Sequence, residues 1–396
     1  MRPIVCLLLL FLACPGVARE IPLSVGNTLT LHSAGLHEDR QISIYLPEGY
    51  EETSARYPVL YLLDAETHLL HAGGSARLLG LLGEMPRVIV VGIANTDRVR
   101  DMTPPLIRPD ENYPDGGGAN RFLSFLQSEL APYVRSHYRT EPFSILAGTS
   151  LSGLLVTHAF VTDPDSFDAY VAASPSLWWN EGRSADELIA ALEHRAASRP
   201  KFLFISLAGG DSDSLQRNAR RVFEVLDRRP TDALSSQHAF FDDESHNSSP
   251  LRSFYGALKW MYTGWRPATA SGLADLRQHY DSLSKRYGYS IPIPDTEINN
   301  VAYGLLYSGR KAEAVELFAL NTRNSPGSAN AWDSLGEGYR VAGNLESSKL
   351  AYRKACELGR KSASPHSAEY CANLGSVMRQ IQAGLNDISR GRDQRR

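Results

Sequence analysis

Between residues 40 and 265 the chain alternates short β-branched and aromatic runs with amphipathic stretches. Strands are predicted at 41–46, 59–63, 88–93, 143–147, 169–173, 202–207 and 238–241. Val59-Leu60-Tyr61-Leu62-Leu63 and Val88-Ile89-Val90-Val91 are apolar at every position, the pattern of strands covered on both faces. Between the strands Phe122, Leu123, Phe125, Leu126, Leu130 and Val134 keep helical spacing, and a second amphipathic helix opens at Leu154. Strand and helix in alternation define an α/β unit with a mostly parallel central sheet.

Beyond residue 265 the strand signal stops. A linker-like patch at 267–272 leads to a helix over 273–287, which Ile291-Pro292-Ile293-Pro294 ends. The chain then repeats itself at a spacing of 34 residues: Val301 with Leu335, Leu305 with Tyr339, Gly309 with Gly343, Phe318 with Tyr352. Trp332, Leu335, Gly336, Tyr339, Gly343, Tyr352 and Ala355 fall where a tetratricopeptide helix–turn–helix repeat places its packing residues. Two such repeats are too few to stand alone, so a capping helix over 366–385 or the α/β unit is expected to support them. The expected organisation is a leader over 1–18, an α/β domain over 19–266, a helical linker over 267–296, a small all-α pair of tetratricopeptide-like repeats with its cap over 297–386, and a disordered tail over 387–396.

The leader reading rests on Arg2, the apolar run from Ile4 to Ala13, and the turn and small residues of Pro15-Gly16-Val17-Ala18, with cleavage after Ala18. Lipid attachment at Cys14 is the alternative, though Phe11-Leu12-Ala13 fits such a site poorly. Cleavage removes Cys6 and Cys14 and leaves Cys356 and Cys371, a count suited to one disulfide in an oxidising compartment. The expected location is therefore periplasmic or secreted. Of the 396 residues, 43% are hydrophobic and 21% charged, which excludes wholesale disorder. Lys plus Arg number 41 against 44 acids, so no global positive field exists to hold nucleic acid. No apolar stretch after the leader is long enough to span a membrane.

Candidate chemistry concentrates in Phe143-Ser144-Ile145-Leu146-Ala147-Gly148-Thr149-Ser150-Leu151-Ser152-Gly153, which reads strand, tight turn, helix. A serine at such a turn lifts its hydroxyl above the sheet, and the residues two before and two after must be small for strand and helix to approach. Gly148 meets that demand. Ser152 stands where G-x-S-x-G has its second glycine, and Gly153 comes one place late. The plainer reading makes Ser150 a helix N-cap. An acid and a histidine follow in the order of an α/β-hydrolase. Asp211 and Asp213 lie in the loop after the strand at 202–207, with Asp211 narrowly favoured because it follows the strand edge directly, and His246 lies in the loop after the last strand. Such a histidine takes the serine proton while the carboxylate orients its imidazole. His158 reads as a core residue, and His68 and His71 remain weaker alternatives. Asp211-x-Asp213 opens like a calcium loop but lacks the later ligands, and Gly116-Gly117-Gly118 lacks the Lys and Ser/Thr of a phosphate loop.

These residues, with Tyr57-Pro58-Val59-Leu60-Tyr61-Leu62-Leu63-Asp64, Val90-Val91-Gly92-Ile93-Ala94-Asn95-Thr96-Asp97-Arg98 and Ser174-Pro175-Ser176-Leu177-Trp178-Trp179, resemble the putative esterase, or esterase D-like, branch of the α/β-hydrolases, which includes siderophore esterases. The resemblance spans about residues 25–265, and members with a C-terminal tetratricopeptide pair fit the repeat. The look-alikes commonly carry His and Gly where this chain has Thr149 and Ser152. The resemblance implies Ser150 as nucleophile, His246 as base and Asp211 or Asp213 as the acid. It implies an oxyanion hole from the N–H of Leu151 and a second N–H of the Asp64-Ala65-Glu66 turn, taken as that of Ala65. Trp178 and Trp179 would wall the substrate pocket or else belong to the core. The expected activity is hydrolysis of a small-molecule ester, thioester or lactone through an acyl-enzyme, with no metal or organic cofactor. The alternatives are an acyltransferase, or an inactive hydrolase fold whose repeats bind a protein partner.

Overall fold

The computed structural model describes residues 24–52, 54–194, 199–228 and 234–393. The expected leader and its Cys6 and Cys14 lie outside them. Eight strands form one sheet: β1 (Asn27–Ser33), β2 (Glu38–Tyr45), β3 (Tyr57–Leu62), β4 (Ile89–Ile93), β5 (Thr140–Thr149), β6 (Ala169–Ala173), β7 (Lys201–Ala208) and β8 (Leu234–Phe241). Their spatial order is β1-β2-β4-β3-β5-β6-β7-β8. β1 and β2 pair antiparallel, as do β2 and β4, and every later pairing is parallel. The parallel strands are the ones with unbroken apolar runs, since helices cover both their faces. β1 is a strand the apolar pattern does not announce. It is an outer strand whose threonines face solvent and whose Leu29 and Leu31 only partly reach the core, so it lacks the continuous run of the interior strands.

The period-two alternation of a strand sorts the core into two layers. Leu60, Val90, Ile145, Val171 and Phe204 face one side, with α1 (Ala65–Leu81) packed against them. Tyr61, Val91, Leu146, Tyr170 and Ile205 face the other. A short α2 (Arg98–Met102) follows β4. The helix expected across 122–134 is α3 (Ala119–Phe125) and α4 (Ala131–His137) joined by a π-turn at Leu126–Leu130. Pro132 lacks the N–H that regular helix pairing would use there, and the wider turn accommodates it. These two, with α5 (Leu151–Thr162), α6 (Arg183–His194) and α7 (Asp213–Arg228), cover the second side. α8 (Ser249–Met261) returns to the first side beside α1.

The remaining chain is helical: α9 (Leu273–Tyr287), α10 (Asp295–Tyr307), α11 (Lys311–Asn324), α12 (Ala329–Val341), α13 (Leu345–Lys361) and α14 (Ser367–Asp393). The 34-residue spacing falls on two hairpins, α10/α11 and α12/α13, whose turn residues Gly309 and Gly343 have φ of 85° and 86°. Only glycine adopts that conformation without strain. Gly336 lets α12 approach α13, for a Cβ there would lie 2.6 Å from the Tyr352 ring. Cys356 of α13 and Cys371 of α14 are bonded, with Cα atoms 4.7 Å apart. Asn373 of α14 donates to the Asp333 carboxylate of α12 at 3.0 Å.

Among the described residues the helical region shares its apolar cluster with one face of the sheet. Tyr287 stacks on Phe202 of β7 at 5.5 Å and on Tyr262 at 5.2 Å, and its hydroxyl donates to the Met261 carbonyl at 2.8 Å. Ile298, Leu305, Phe318 and Leu335 extend the same apolar cluster outward from the sheet. The segment expected to be a linker thus carries the aromatic wedge that joins the two regions. α14 continues to Asp393, past the point where a disordered tail was expected, and no proline interrupts the sequence there.

Candidate active site

The turn from β5 into α5 holds Ser150 at φ 57° and ψ −118°, a conformation side chains resist. Three backbone bonds keep it there: Ser150 N–H to the Ala173 carbonyl at 3.0 Å, and Leu154 and Ser176 N–H to the Ser150 carbonyl at 2.9 and 3.0 Å. Gly148 is required, since a Cβ there would lie 2.7 Å from the Ser152 backbone. A Cβ at Gly153 would lie 3.1 Å from the Ala173 carbonyl oxygen, so the late glycine serves the approach of α5 to β6. Ser150 occupies the N-cap position of α5 but makes no capping bond with its side chain, so its hydroxyl is not engaged by the helix start. Its hydroxyl lies 3.4 Å from Ser176 Oγ. Among the described residues no hydrogen bond joins Ser150 to His246, and a bond of this kind commonly tightens only when substrate is present.

Register places Thr149, Ala173 and Ser206 side by side on β5, β6 and β7, so the loops leaving these strands open together at one sheet edge. Asp211, in the loop leaving β7, accepts His246 Nδ1 at 2.6 Å on one oxygen. Its other oxygen accepts Ser174 Oγ and the Ala208 N–H, both at 2.7 Å. Burial raises the Asp211 carboxyl, but these donors together hold it below the usual carboxylate range. The imidazole is therefore fixed at Nδ1 by a buried carboxylate, and Nε2 is its remaining ring nitrogen. Asp213, the first residue of α7, is exposed and is not the imidazole's partner.

At the mouth of the same edge, α5 begins with N–H groups that have no intrahelical acceptor, Leu151 first. Across from it Asp64, at φ 51°, ends the strand segment and starts α1 at Ala65. Gly92 of β4 makes room for that start, since a Cβ there would lie 2.8 Å from Ala65 Cβ. Asp64 is buried and paired bidentately with Arg98, at 2.8 Å to each oxygen, and it also accepts from Asn95 and Ser152 at 2.7 Å. Burial raises the Asp64 carboxyl, and Arg98 with these hydrogen bonds outweighs that and holds it low. The sequence reading quoted Asp64 and Arg98 in separate motifs and missed their pairing. The available signal was a charged residue, Asp64, ending a run of five consecutive side chains, Val59 to Leu63, that are apolar but for one tyrosine hydroxyl, a position that demands a buried partner.

The two tryptophans separate. Trp179 is buried, with its Nε1 donating to the Pro104 carbonyl at 3.0 Å, whereas Trp178 is partly exposed. Both border an open cleft of about 900 Å³ between the 106–112 loop and α6. His158 is a core residue bonded to Asn120 at 2.7 Å, and burial lowers its pKa. His68 and His71 bond each other at 2.8 Å against Phe254, and burial lowers both. None of the three is bonded to Ser150.

A parallel sheet with a serine on a strained strand–helix turn, and an Asp–His pair on later strand-end loops, defines the α/β-hydrolase class. Residues 33–276 match the model of the family described as "Putative esterase", and the chain belongs to that family. It is 30% identical to the ferri-bacillibactin esterase BesA of Bacillus subtilis over 239 residues, 54% of this chain and 81% of that one. Over 115 residues it is 41% identical to the siderophore enterobactin esterase of Emericella nidulans, which covers 24% of this chain and 36% of the relative. An IroE-like serine hydrolase from Shewanella oneidensis superposes with a TM-score of 0.69 at 26% identity, covering 76% of this chain and all of that one. The protein is an ester hydrolase. No helix among the described residues is long and apolar enough to cross a membrane.

Proposed function

We propose that the chain is a serine esterase that opens ester or lactone bonds of siderophore-like substrates through an acyl-enzyme on Ser150. The observation that carries this reading is the His246–Asp211 bond of 2.6 Å, made by a buried carboxylate at the sheet edge where Ser150 is held at φ 57°. The Ser150 hydroxyl attacks the ester carbonyl carbon and passes its proton to His246 Nε2. Asp211 stabilises the resulting imidazolium while remaining ionised. The tetrahedral oxyanion is received by the N–H of Leu151 and that of Ala65, donors fixed before the charge develops. Collapse breaks the bond to the alcohol oxygen, which takes the proton from His246 and departs. Water, deprotonated by the same imidazole, then releases the acid and restores Ser150. Trp178 and the cleft beside it give the alcohol or acyl portion an aromatic wall.

The relatives named for siderophores support the substrate class, and the expected leader with the Cys356–Cys371 bridge supports a periplasmic or secreted location. The two hairpins fit a tetratricopeptide pair that positions the enzyme or engages a protein partner. A fluorophosphonate probe tests the core of the reading. It should label the wild type and leave Ser150→Ala unlabelled, and equal labelling of both would refute the assignment.

A further inference from the structure

The site described above explains Ser150, His246 and Asp211 but leaves a buried polar assembly beside them without a task. Ser152 is fully buried, and its hydroxyl accepts the Thr149 N–H at 2.7 Å. The same hydroxyl has one proton to give. It lies 2.7 Å from Asp64 Oδ2 and 2.8 Å from the Thr149 carbonyl, and the ionised carboxylate is the stronger acceptor. Arg98, which grips Asp64 with two bonds, also reaches the Thr149 carbonyl at 3.3 Å. Both peptide groups of the residue preceding the nucleophile are thus held by side chains that converge on Asp64. Asp64 in turn is joined by a single peptide bond to Ala65.

Resting on the serine-esterase reading, we propose that Ser152 and Asp64 are positioning residues that lock the nucleophile turn to the turn bearing the second oxyanion donor. The two turns belong to different strands, β5 and β3, and backbone pairing between those strands ends at Leu62 with Ala147 and Leu63 N–H with the Ala147 carbonyl. Above that level the Ser152–Asp64 bond is a direct tie between them. A glycine at position 152 satisfies the steric demand of the turn and cannot make this tie. The serine at this position is then a functional substitution for the motif's glycine: it fits because the hydroxyl is fully satisfied, and it fixes the spacing between the attacking oxygen and the N–H groups that receive the oxyanion. Displacements of about 1 Å matter here, since a shift of that size can cost on the order of 100-fold in rate.

The test compares Ser152→Ala, Ser152→Gly, Asp64→Asn and the Ser152→Ala/Asp64→Asn double variant in the full chain, using p-nitrophenyl butyrate and a fluorophosphonate probe. Ser152→Ala and Ser152→Gly should each lower kcat roughly 10- to 100-fold with KM changed less than about twofold, and slow probe labelling in parallel. The double variant should be no slower than Asp64→Asn alone, because the two residues act through one bond. Asp64→Asn leaves Arg98 without its ion pair and is the variant at risk of misfolding. The two Ser152 substitutions retain that pair and decide the matter without it. Full kcat in Ser152→Gly or Ser152→Ala overturns the proposal, and so does a loss expressed in KM alone. If Ser150→Ala also retained activity, the serine reading itself would fall. If Ser150→Ala is dead and both Ser152 variants are wild-type, only the positioning role falls.

Discussion

The sheet edge and the helical region are stabilised in opposite ways. At the edge, side chains far apart in sequence are tied by short polar bonds: Ser152 to Asp64 across 88 positions, Ser174 to Asp211 across 37, His246 to Asp211 across 35. Ser150 and Asp64 are held there in conformations that side chains avoid. In the helical region the contacts are mainly between neighbouring helices, positive φ in the α10/α11 and α12/α13 turns is carried by glycine, with Ala363 between α13 and α14 the exception, and a disulfide joins residues only 15 apart. Geometry that must be accurate is over-determined by bonds between distant elements. Geometry that need only be stable is assembled from local packing.

The largest expected effect lies at the edge. Ser150→Ala or His246→Ala should each lower kcat by on the order of 10⁴ or more, and the double variant should lose little further, because neither group works without the other. Steady-state kinetics on a small ester checks this, and losses that multiplied would break the unit. Asp211→Asn should cost ~10³- to 10⁴-fold by unsettling the imidazole, while Asp213→Asn, at the exposed start of α7, should stay within about twofold.

Packing comes next. Tyr287→Ala removes the ring wedged on Phe202 and Tyr262 and should cost about 3–5 kcal/mol in urea unfolding. It should leave kcat on a small ester close to wild type at temperatures where the protein stays folded. Cys371→Ser should cost roughly 3 kcal/mol, the chain-entropy value for a loop of about this size, with the same indifference in kcat. A large fall in kcat from either change would mean that the two regions are mechanically coupled.

The smallest effect distinguishes the regions by sign. Asp64 and Asp211 are held below the carboxylate range, so the stability they contribute is complete above the unfolded pKa of ~3.9 and is lost as pH falls through their folded values. Burial pushes Asp333 up to about 6, with Asn373 opposing and Glu369 and Glu337 adding to the rise. Its contribution is fullest below ~3.9 and is lost as pH rises toward 6. Asp333→Asn should therefore stabilise the protein at pH 7 and change little at pH 4, as urea unfolding at both values would show.

The interior of the fold was legible because a strand covered on both faces has to be apolar throughout. The seven runs read from the sequence all lie on strands, while β1 escaped because a half-exposed outer strand carries threonines. The elbow and the order of acid and histidine were equally readable, since Gly148 and the loop positions follow from local sterics and chain order. The sequence favours Asp211 over Asp213 only narrowly, since both are loop-edge aspartates; the bond to His246, burial, and the bonds from Ser174 and Ala208 separate them in the structure. The Asp64–Ser152 tie was beyond pattern reading for the same reason, as sequence distance carries no sign of it. The repeat period located the two hairpins, yet it could not show that Tyr287 and Ile298 continue the core of the sheet.

The short span of the disulfide also bears on how the chain is made. At a synthesis rate of ~5–20 residues per second, Cys371 follows Cys356 by about one to three seconds. The two thiols meet within one local segment, with no need for the rest of the molecule to be in place. Four cysteines in the full sequence would allow three complete pairings. If the leader has been cleaved before the last quarter of the chain emerges, Cys6 and Cys14 have already departed and one pairing remains. The order of emergence then does the proofreading that a disulfide isomerase would otherwise perform.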